Sequence, residues 1–242
     1  MAVVTGGAVG IGQAYALRLA HDGNAVAIAD LGPADETEEL IREAGGEVLS
    51  ARCDVADADS VRQFAAAVTE RFGVAEILVH NAGIYPVVSF EAIDWVTWRR
   101  VMDVNLDSVF HLAKVFLPGM RQKGWGRVVV VASTAFHTGP PGLVAYAASK
   151  GGVIGFARSL AAEVGEYGIT VNAIAPGMVR TPGTLSGPQQ EMGLFDAVLA
   201  TQAIKRFGVP EDLMGVVSFL TSDAAGFMTG QTLAIDGGVT RL

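Results

Sequence analysis

The run Ala2-Val3-Val4-Thr5-Gly6-Gly7-Ala8-Val9-Gly10-Ile11-Gly12 decides how the chain is read. Its first three residues form a short β-rich stretch, and the glycines at 6, 10 and 12 follow G-x-x-x-G-x-G. A helical pattern runs from 13 to 21, with Ala14, Leu17 and Leu19 on the apolar side. Strand, glycine loop and helix in that order leave free backbone N–H groups at a helix N-terminus, where a pyrophosphate is favoured. A glycine pattern alone is a weak sign of a nucleotide site. The next strand strengthens it. Residues 25–29 are a second apolar run ending in Asp30, eighteen residues after Gly12. A carboxylate there can accept hydrogen bonds from both hydroxyls of an adenosine ribose, and it would repel a 2'-phosphate. No Lys or Arg lies between Asp30 and Arg42, so the sequence favours NAD over NADP. The plainer reading of Asp30 is a solvated strand end or a helix cap.

The alternation continues along the chain. Residues 34–44 read as a polar-faced helix, 47–51 as a third strand with Cys53-Asp54-Val55 at its C-terminal end, and 61–72 as a helix. Residues 76–80 are a fourth strand leading into Asn81-Ala82-Gly83. Short connections between alternating strands and helices predict an open parallel α/β sheet wound on both faces. Such sheets bind ligands beyond the C-terminal ends of their strands. The glycine loop, Asp30, Asp54 and Asn81-Ala82-Gly83 all fall at such ends. Asp54 reads two ways, as a partner for an adenine amino group or as the cap of a helix starting near Asp59. Cys53 reads as a small buried residue.

In the second half, 95–121 carries one long helical pattern, interrupted by Asn105, a poor helix former. Either a bend or an ordered water beside an active site accounts for it. A fifth strand over 127–132 delivers Ser133. Tyr146 comes thirteen positions later and Lys150 four after that, on one helical face if a helix begins there. An ammonium near a phenol favours the phenolate and lowers a pKa that is about 10 in free tyrosine. The expected result is a proton donor or acceptor usable near neutral pH, with the Ser133 hydroxyl free for a substrate oxygen. That chemistry suits a carbonyl or alcohol. The helix over 146–167 has a flat face of Gly151, Gly152 and Gly155, open to the sheet or to another subunit. A sixth strand over 169–173 precedes Pro176-Gly177-Met178-Val179-Arg180-Thr181.

Between 182 and 203 the composition changes from Gly183, Ser186, Gly187, Pro188, Gln189 and Gln190 to Met192, Leu194, Phe195, Val198 and Leu199. A lid over 183–205 that closes on an apolar substrate fits this order, as does an ordinary surface excursion. A helix over 210–220 and a strand over 232–235 complete the pattern. With no internal repeat and no long linker, 1–242 reads as a single domain.

The formal net charge of −8 and the pI near 5.0 leave no basic stripe for phosphates, which opposes nucleic acid or an anionic membrane as partner. A lone cysteine, Cys53, excludes an intramolecular disulfide and a zinc–thiolate cluster, and no metal is expected. The first apolar run leads straight into the glycine loop, and no apolar stretch approaches the roughly 20 residues of a membrane span. The expectation is a cytoplasmic protein without a signal peptide. The first strand begins almost at Met1.

Taken together, Thr5-Gly6-x-x-x-Gly10-x-Gly12, Asn81-Ala82-Gly83, Asn105, Ser133, Tyr146-x-x-x-Lys150 and Pro176-Gly177 resemble the short-chain dehydrogenase/reductase family over essentially the whole chain. The resemblance implies a Rossmann-type, doubly wound sheet of about seven parallel strands and a nicotinamide cofactor. It implies Tyr146 as general acid/base, Lys150 lowering its pKa and holding the nicotinamide ribose, Ser133 orienting the substrate oxygen, and Asn105 supporting a proton-relay water. The cofactor would lie along Gly6, Gly10, Ile11, Gly12, Asp30, Leu31, Asp54, Val55, Asn81, Ala82, Gly83 and Ile84. It would end at Pro176, Gly177, Val179 and Thr181, the last two holding the carboxamide. Tetramers through the helices at 96–121 and 146–166 are common in the family, and a homotetramer is expected here.

His80 stands where many members have asparagine and reads as a packing or hydrogen-bonding variant, not a metal ligand. His137 reads as a loop surface position, with substrate contact as the alternative. Tyr85-Pro86, Ala135-Phe136-His137, Leu143 and the apolar half of 183–203 would surround the reacting carbon. This suggests an apolar or aromatic secondary alcohol or ketone. The segments Gly83–Pro86, Pro118–Met120 and Gly124–Arg127 look most like members acting on phenylethanol-type aryl alcohols. A 3-oxoacyl-[acyl-carrier-protein] reductase is the runner-up, opposed by Asp30 and the acidic balance. A serine hydrolase lacks its Gly-x-Ser-x-Gly elbow around Ser133. A non-catalytic NAD-binding regulator remains a further alternative.

Overall fold

The computed structural model describes residues 1–187 and 193–241, so Pro188, Gln189, Gln190 and Met192 of the expected lid lie outside the described residues. Seven strands form one parallel sheet: β1 (Ala2–Thr5), β2 (Val26–Asp30), β3 (Val48–Arg52), β4 (Ile77–His80), β5 (Gly126–Val131), β6 (Ile169–Pro176) and β7 (Thr232–Ile235). Their order is β3-β2-β1-β4-β5-β6-β7. The order in which strands are added reverses between β1 and β4, and at such a switch point neighbouring loops part and open a crevice.

Parallel strands need crossover helices, and these cover both faces. The strands β1, β4, β5 and β6 are buried along their whole length, which is why they read as mostly apolar runs. Their side chains alternate between two cores. Val3, Ala27, Val128 and Val130 pack against α3 (Ala58–Phe72), α5 (Ser108–Lys123) and α7 (Val144–Val164). Val4, Ile28, Val129 and Val131 pack against α1 (Gly10–His21), α2 (Asp35–Glu43) and α10 (Met214–Leu220).

The expected single helix over 95–121 is instead three pieces: α4 (Trp95–Met102), a π-helical turn over Asp103–Asp107, and α5. The Ser108 amide reaches back five residues to Asp103 O. Asn105 sits in this turn and marks it, as a bend rather than a smooth helix. The helix expected from 146 begins two residues earlier, at Val144. Asp54 does not cap the third helix. Asp57 does so, its side chain accepting the Asp59 amide.

Of the glycine face on α7, Gly151 is covered by Phe136 and Gly152 by Leu106, where an added Cβ would come within 2.6 and 2.7 Å. Gly155 alone of the three has open space beside it among the described residues. Among the described residues, no helix is long and apolar enough to cross a membrane, and no cluster of potential metal ligands occurs.

Candidate active site

The cleft at the switch point has a volume of about 1200 Å³. It begins at the glycine loop. Gly6 and Gly10 take positive φ angles of 64° and 63°, which L side chains adopt poorly. Gly12 answers to space instead, since a Cβ there would lie 1.9 Å from Gly6 O and 2.5 Å from Asn81 Nδ2. Asn81 Nδ2 donates to Thr5 O and Gly6 O at 3.1 and 3.0 Å, and the Thr5 hydroxyl accepts the Asn81 and Ala82 amides. The asparagine expected to line the cofactor therefore also holds the loop that cradles it. No side chain among the described residues caps α1, whose first amides stay available to an anion.

Asp30 closes the far end. Its carboxylate accepts the Ala8 amide at 3.0 Å and the Gly32 amide at 3.1 Å. Each carboxylate oxygen has two lone-pair sites, so capacity for ribose hydroxyls remains. Asp54 lies alongside, accepting the Ala56 amide and standing 3.5 Å from the Arg100 guanidinium. Two cations here escape a linear reading. Arg100 reaches the cleft wall from α4, and Arg52 stands opposite Asp30 in the β2–β3 register, exposed and outside the lining. Strand register is not visible in one sequence.

At the other end β5 delivers Ser133 and α7 delivers Tyr146 and Lys150. The Ser133 hydroxyl accepts the Ala135 amide at 3.1 Å and lies by the Tyr146 phenol, where it favours the phenolate. Lys150 Nζ donates to Val131 O at 2.6 Å and lies 5.7 Å from the centroid of the Tyr146 ring. The expected depression of the phenol's pKa is not what this site produces. Burial pushes the Tyr146 phenol up, with Ser133 acting against it, and burial brings the Lys150 ammonium down to about 8. Lys150 is almost fully buried, without a carboxylate partner among the described residues, so desolvation outweighs its attraction for the phenolate.

Asn105 is fully buried behind this group rather than in the lining. Its side chain accepts the Ile84 amide at 2.8 Å and donates to Ile84 O at 2.9 Å and to Ser149 Oγ at 3.0 Å. Ser149 in turn donates to Tyr146 O at 2.7 Å. Asn105 thus ties the loop after β4 to the first turn of α7.

Most other expected residues line the same cleft, among them Ile11, Leu31, Val55, Ala82, Gly83, Pro176, Gly177, Val179 and Thr181 towards the cofactor, and Tyr85, Ala135 and Leu143 towards substrate. Tyr85 meets Tyr146 edge to face, ring centroids 6.0 Å apart. Pro86, Phe136 and His137 do not line it. Phe136 covers Gly151, and His137 is exposed on α6 (Ala135–Thr138), its ring against Phe136. Val87, Pro140, Pro141 and Val239 line the cleft although no motif or periodicity marks them. They sit in irregular loops, where periodicity carries no signal.

The segment after Thr181 supplies the outer wall. Thr181 caps α8 (Pro182–Leu185) in a reciprocal pair with Thr184. Then α9 (Leu194–Thr201) turns Leu194, Ala197, Val198 and Thr201 to the cleft. Phe195 faces away from it, buried against Phe207, whose ring carries the Arg180 guanidinium at 3.7 Å.

Comparison with known proteins agrees with this geometry. A family model described as Enoyl-(Acyl carrier protein) reductase matches residues 6–240. The chain is 35% identical over 243 residues to an acetoacetyl-CoA reductase of Cupriavidus necator, covering 99% of this chain and 97% of the relative. It is 39% identical over 242 residues to a cis-4-hydroxycyclohexanecarboxylate dehydrogenase of Sinomonas cyclohexanicum, covering 99% and 96%. The crystal structure of levodione reductase superposes with a TM-score of 0.92 at 33% identity, covering 98% of this chain and 96% of that one. The chain is a member of the short-chain dehydrogenase/reductase family, whose oxidoreductases use a nicotinamide cofactor.

Proposed function

We propose that the protein is an NAD(H)-dependent ketoreductase and alcohol dehydrogenase acting on uncharged, apolar or aromatic secondary alcohols and their ketones. One observation carries this reading. Among the described residues, the charged ones lining the cleft are Asp30, Asp54, Arg100 and Lys150, and the first three stand at the adenosine end. Around Ser133 and Tyr146 the described wall is Tyr85, Val87, Pro140, Pro141, Leu143 and Val198, and the one cation there among the described lining residues, Lys150, is turned to Val131 O.

In this reading the uncapped α1 terminus takes the pyrophosphate, Asp30 the adenosine ribose, Lys150 the nicotinamide ribose, and Val179 with Thr181 the carboxamide. The cofactor supplies or accepts a hydride. The chain supplies the proton. Ser133 orients the carbonyl oxygen, and the Tyr146 hydroxyl gives its proton to that oxygen as it becomes an alcohol. A phenol held protonated by burial suits reduction, whereas oxidation needs the phenolate. Accordingly, kcat/KM for ketone reduction should stay level on the acid side of about pH 8 and fall beyond it, as Lys150 loses its charge. Alcohol oxidation, which needs the phenolate beside a charged Lys150, should rise up to that pH and level off beyond it. Profiles measured in both directions that run parallel would remove this assignment.

The preference for NAD rests on Asp30 and is tested by Asp30→Ser. Two charge-assisted hydrogen bonds to the ribose are lost, so kcat/KM with NADH should fall roughly ten- to hundredfold while NADPH gains. An unchanged NADH-to-NADPH ratio would show that the carboxylate does not select the cofactor. The acetoacetyl-CoA reductase relative favours a second reading, a β-ketoacyl thioester reductase. Turnover confined to such thioesters would establish it.

We also propose the lid role for 183–205, supported by the cleft-facing side of α9, and a cytoplasmic homotetramer binding neither nucleic acid nor membrane. Exposed Trp95, Val96 and Phe110 on α4 and α5, and Val144 with the open Gly155 on α7, support pairing of copies through these helices.

A further inference from the structure

His80 is fully buried at the end of β4 and touches neither the cleft nor the reacting group. Its Nε2 lies 2.7 Å from Ser108 Oγ, and that hydroxyl donates to Val104 O at 2.6 Å. With the Ser108 proton committed to Val104, the imidazole must be the donor. His80 is therefore neutral with its hydrogen on Nε2, and Nδ1 has no partner among the described residues. Burial, and after it the nearby Lys150 charge, agrees by lowering its pKa to about 3.

The position of this pair gives it meaning. Val104 and Ser108 bracket Asn105 in the π-turn, and the Ser108 amide makes the five-residue bond to Asp103 O that defines the turn. A π-turn rotates the side chains after it relative to an α-helix, and one in an otherwise regular helix needs outside support. From its place in this turn Asn105 reaches Ile84 and Ser149 together.

We propose that His80 is a positioning residue: through Ser108 and the Val104 carbonyl it clamps the π-turn so that Asn105 joins the Ile84 loop to the Tyr146 end of α7. The consequence for turnover rests on the catalytic reading above. The clamp itself does not, and can be read without activity.

The test compares His80→Leu, which removes the donor, His80→Gln, which restores one, and Ser108→Ala, which removes the acceptor from the other side. Hydrogen exchange is monitored at the Ile84 amide, which Asn105 holds, alongside kcat and the KM for NADH. In His80→Leu and Ser108→Ala, exchange at Ile84 should speed up, and kcat should drop roughly tenfold with the NADH KM within about twofold. The double variant should be no worse than either single one, and His80→Gln should recover most of both signals. Unchanged exchange at Ile84 in a folded Ser108→Ala or His80→Leu protein would overturn the proposal. So would fully additive losses in the double variant. If the wild-type protein reduces no ketone, the functional reading fails while the Ile84 exchange still decides the clamp.

Discussion

Tyr146→Phe should bind NADH as the wild type does and lose at least about a thousandfold in turnover, within the span that general acid catalysis contributes. The substitution removes one oxygen and leaves the ring, so the edge-to-face contact with Tyr85 survives and stability should scarcely change. No neighbouring group among the described residues can replace the lost proton. Ser133 is an aliphatic alcohol and too weak an acid, Lys150 is turned to Val131 O, and Asn105 is closed behind the wall. Fluorescence titration of NADH with single-turnover reduction separates binding from chemistry. Turnover within tenfold of wild type would mean that another group delivers the proton.

Arg127→Met should cost about 3 kcal/mol of stability and leave catalysis intact, because three carbonyls lose a donor worth roughly 1 kcal/mol each. Arg127 is a buried cation at the opposite, N-terminal end of the strands, where β5 begins. Its Nε donates to Ser222 O at 3.1 Å, and one terminal nitrogen to Gly126 O at 2.9 Å and Gly168 O at 3.3 Å. The guanidinium lies 4.3 Å from the Trp125 ring centre. Methionine fills much of the stem's space but cannot donate to any of these oxygens. For a chain of this length that lowers Tm by about 6–12 °C. Asp223 adds little, because its carboxylate is largely in water. Calorimetry checks the shift, and kcat measured well below Tm should match wild type. A Tm change under about 2 °C would show that the clamp is replaceable.

The sheet is legible in the sequence because parallel strands buried on both faces leave mostly apolar runs, as in residues 128–131 and 173–176. The cleft residues are legible because each stands at a strand end or on one turn of a helix, where order along the chain determines order in space. What the sequence hides depends on relations between distant segments. Arg52 faces Asp30 only through strand register, and Arg100 reaches Asp54 only through the path of α4. The sign of the Tyr146 shift escapes the sequence because spacing shows that Lys150 is near but not that it is dry. Asn105 marks a turn in the helix whose support, His80 and Ser108 beneath it, comes from a distant strand and has no local signal.

The most direct measurement is consumption of NADH by the wild-type protein with an aryl methyl ketone, set beside NADPH and beside a β-ketoacyl thioester. One alcohol should form per NADH consumed, with NADPH much slower and the thioester poor. Turnover of the thioester alone, with NADPH, would contradict the proposed activity, as would tight NADH binding without reduction of any ketone.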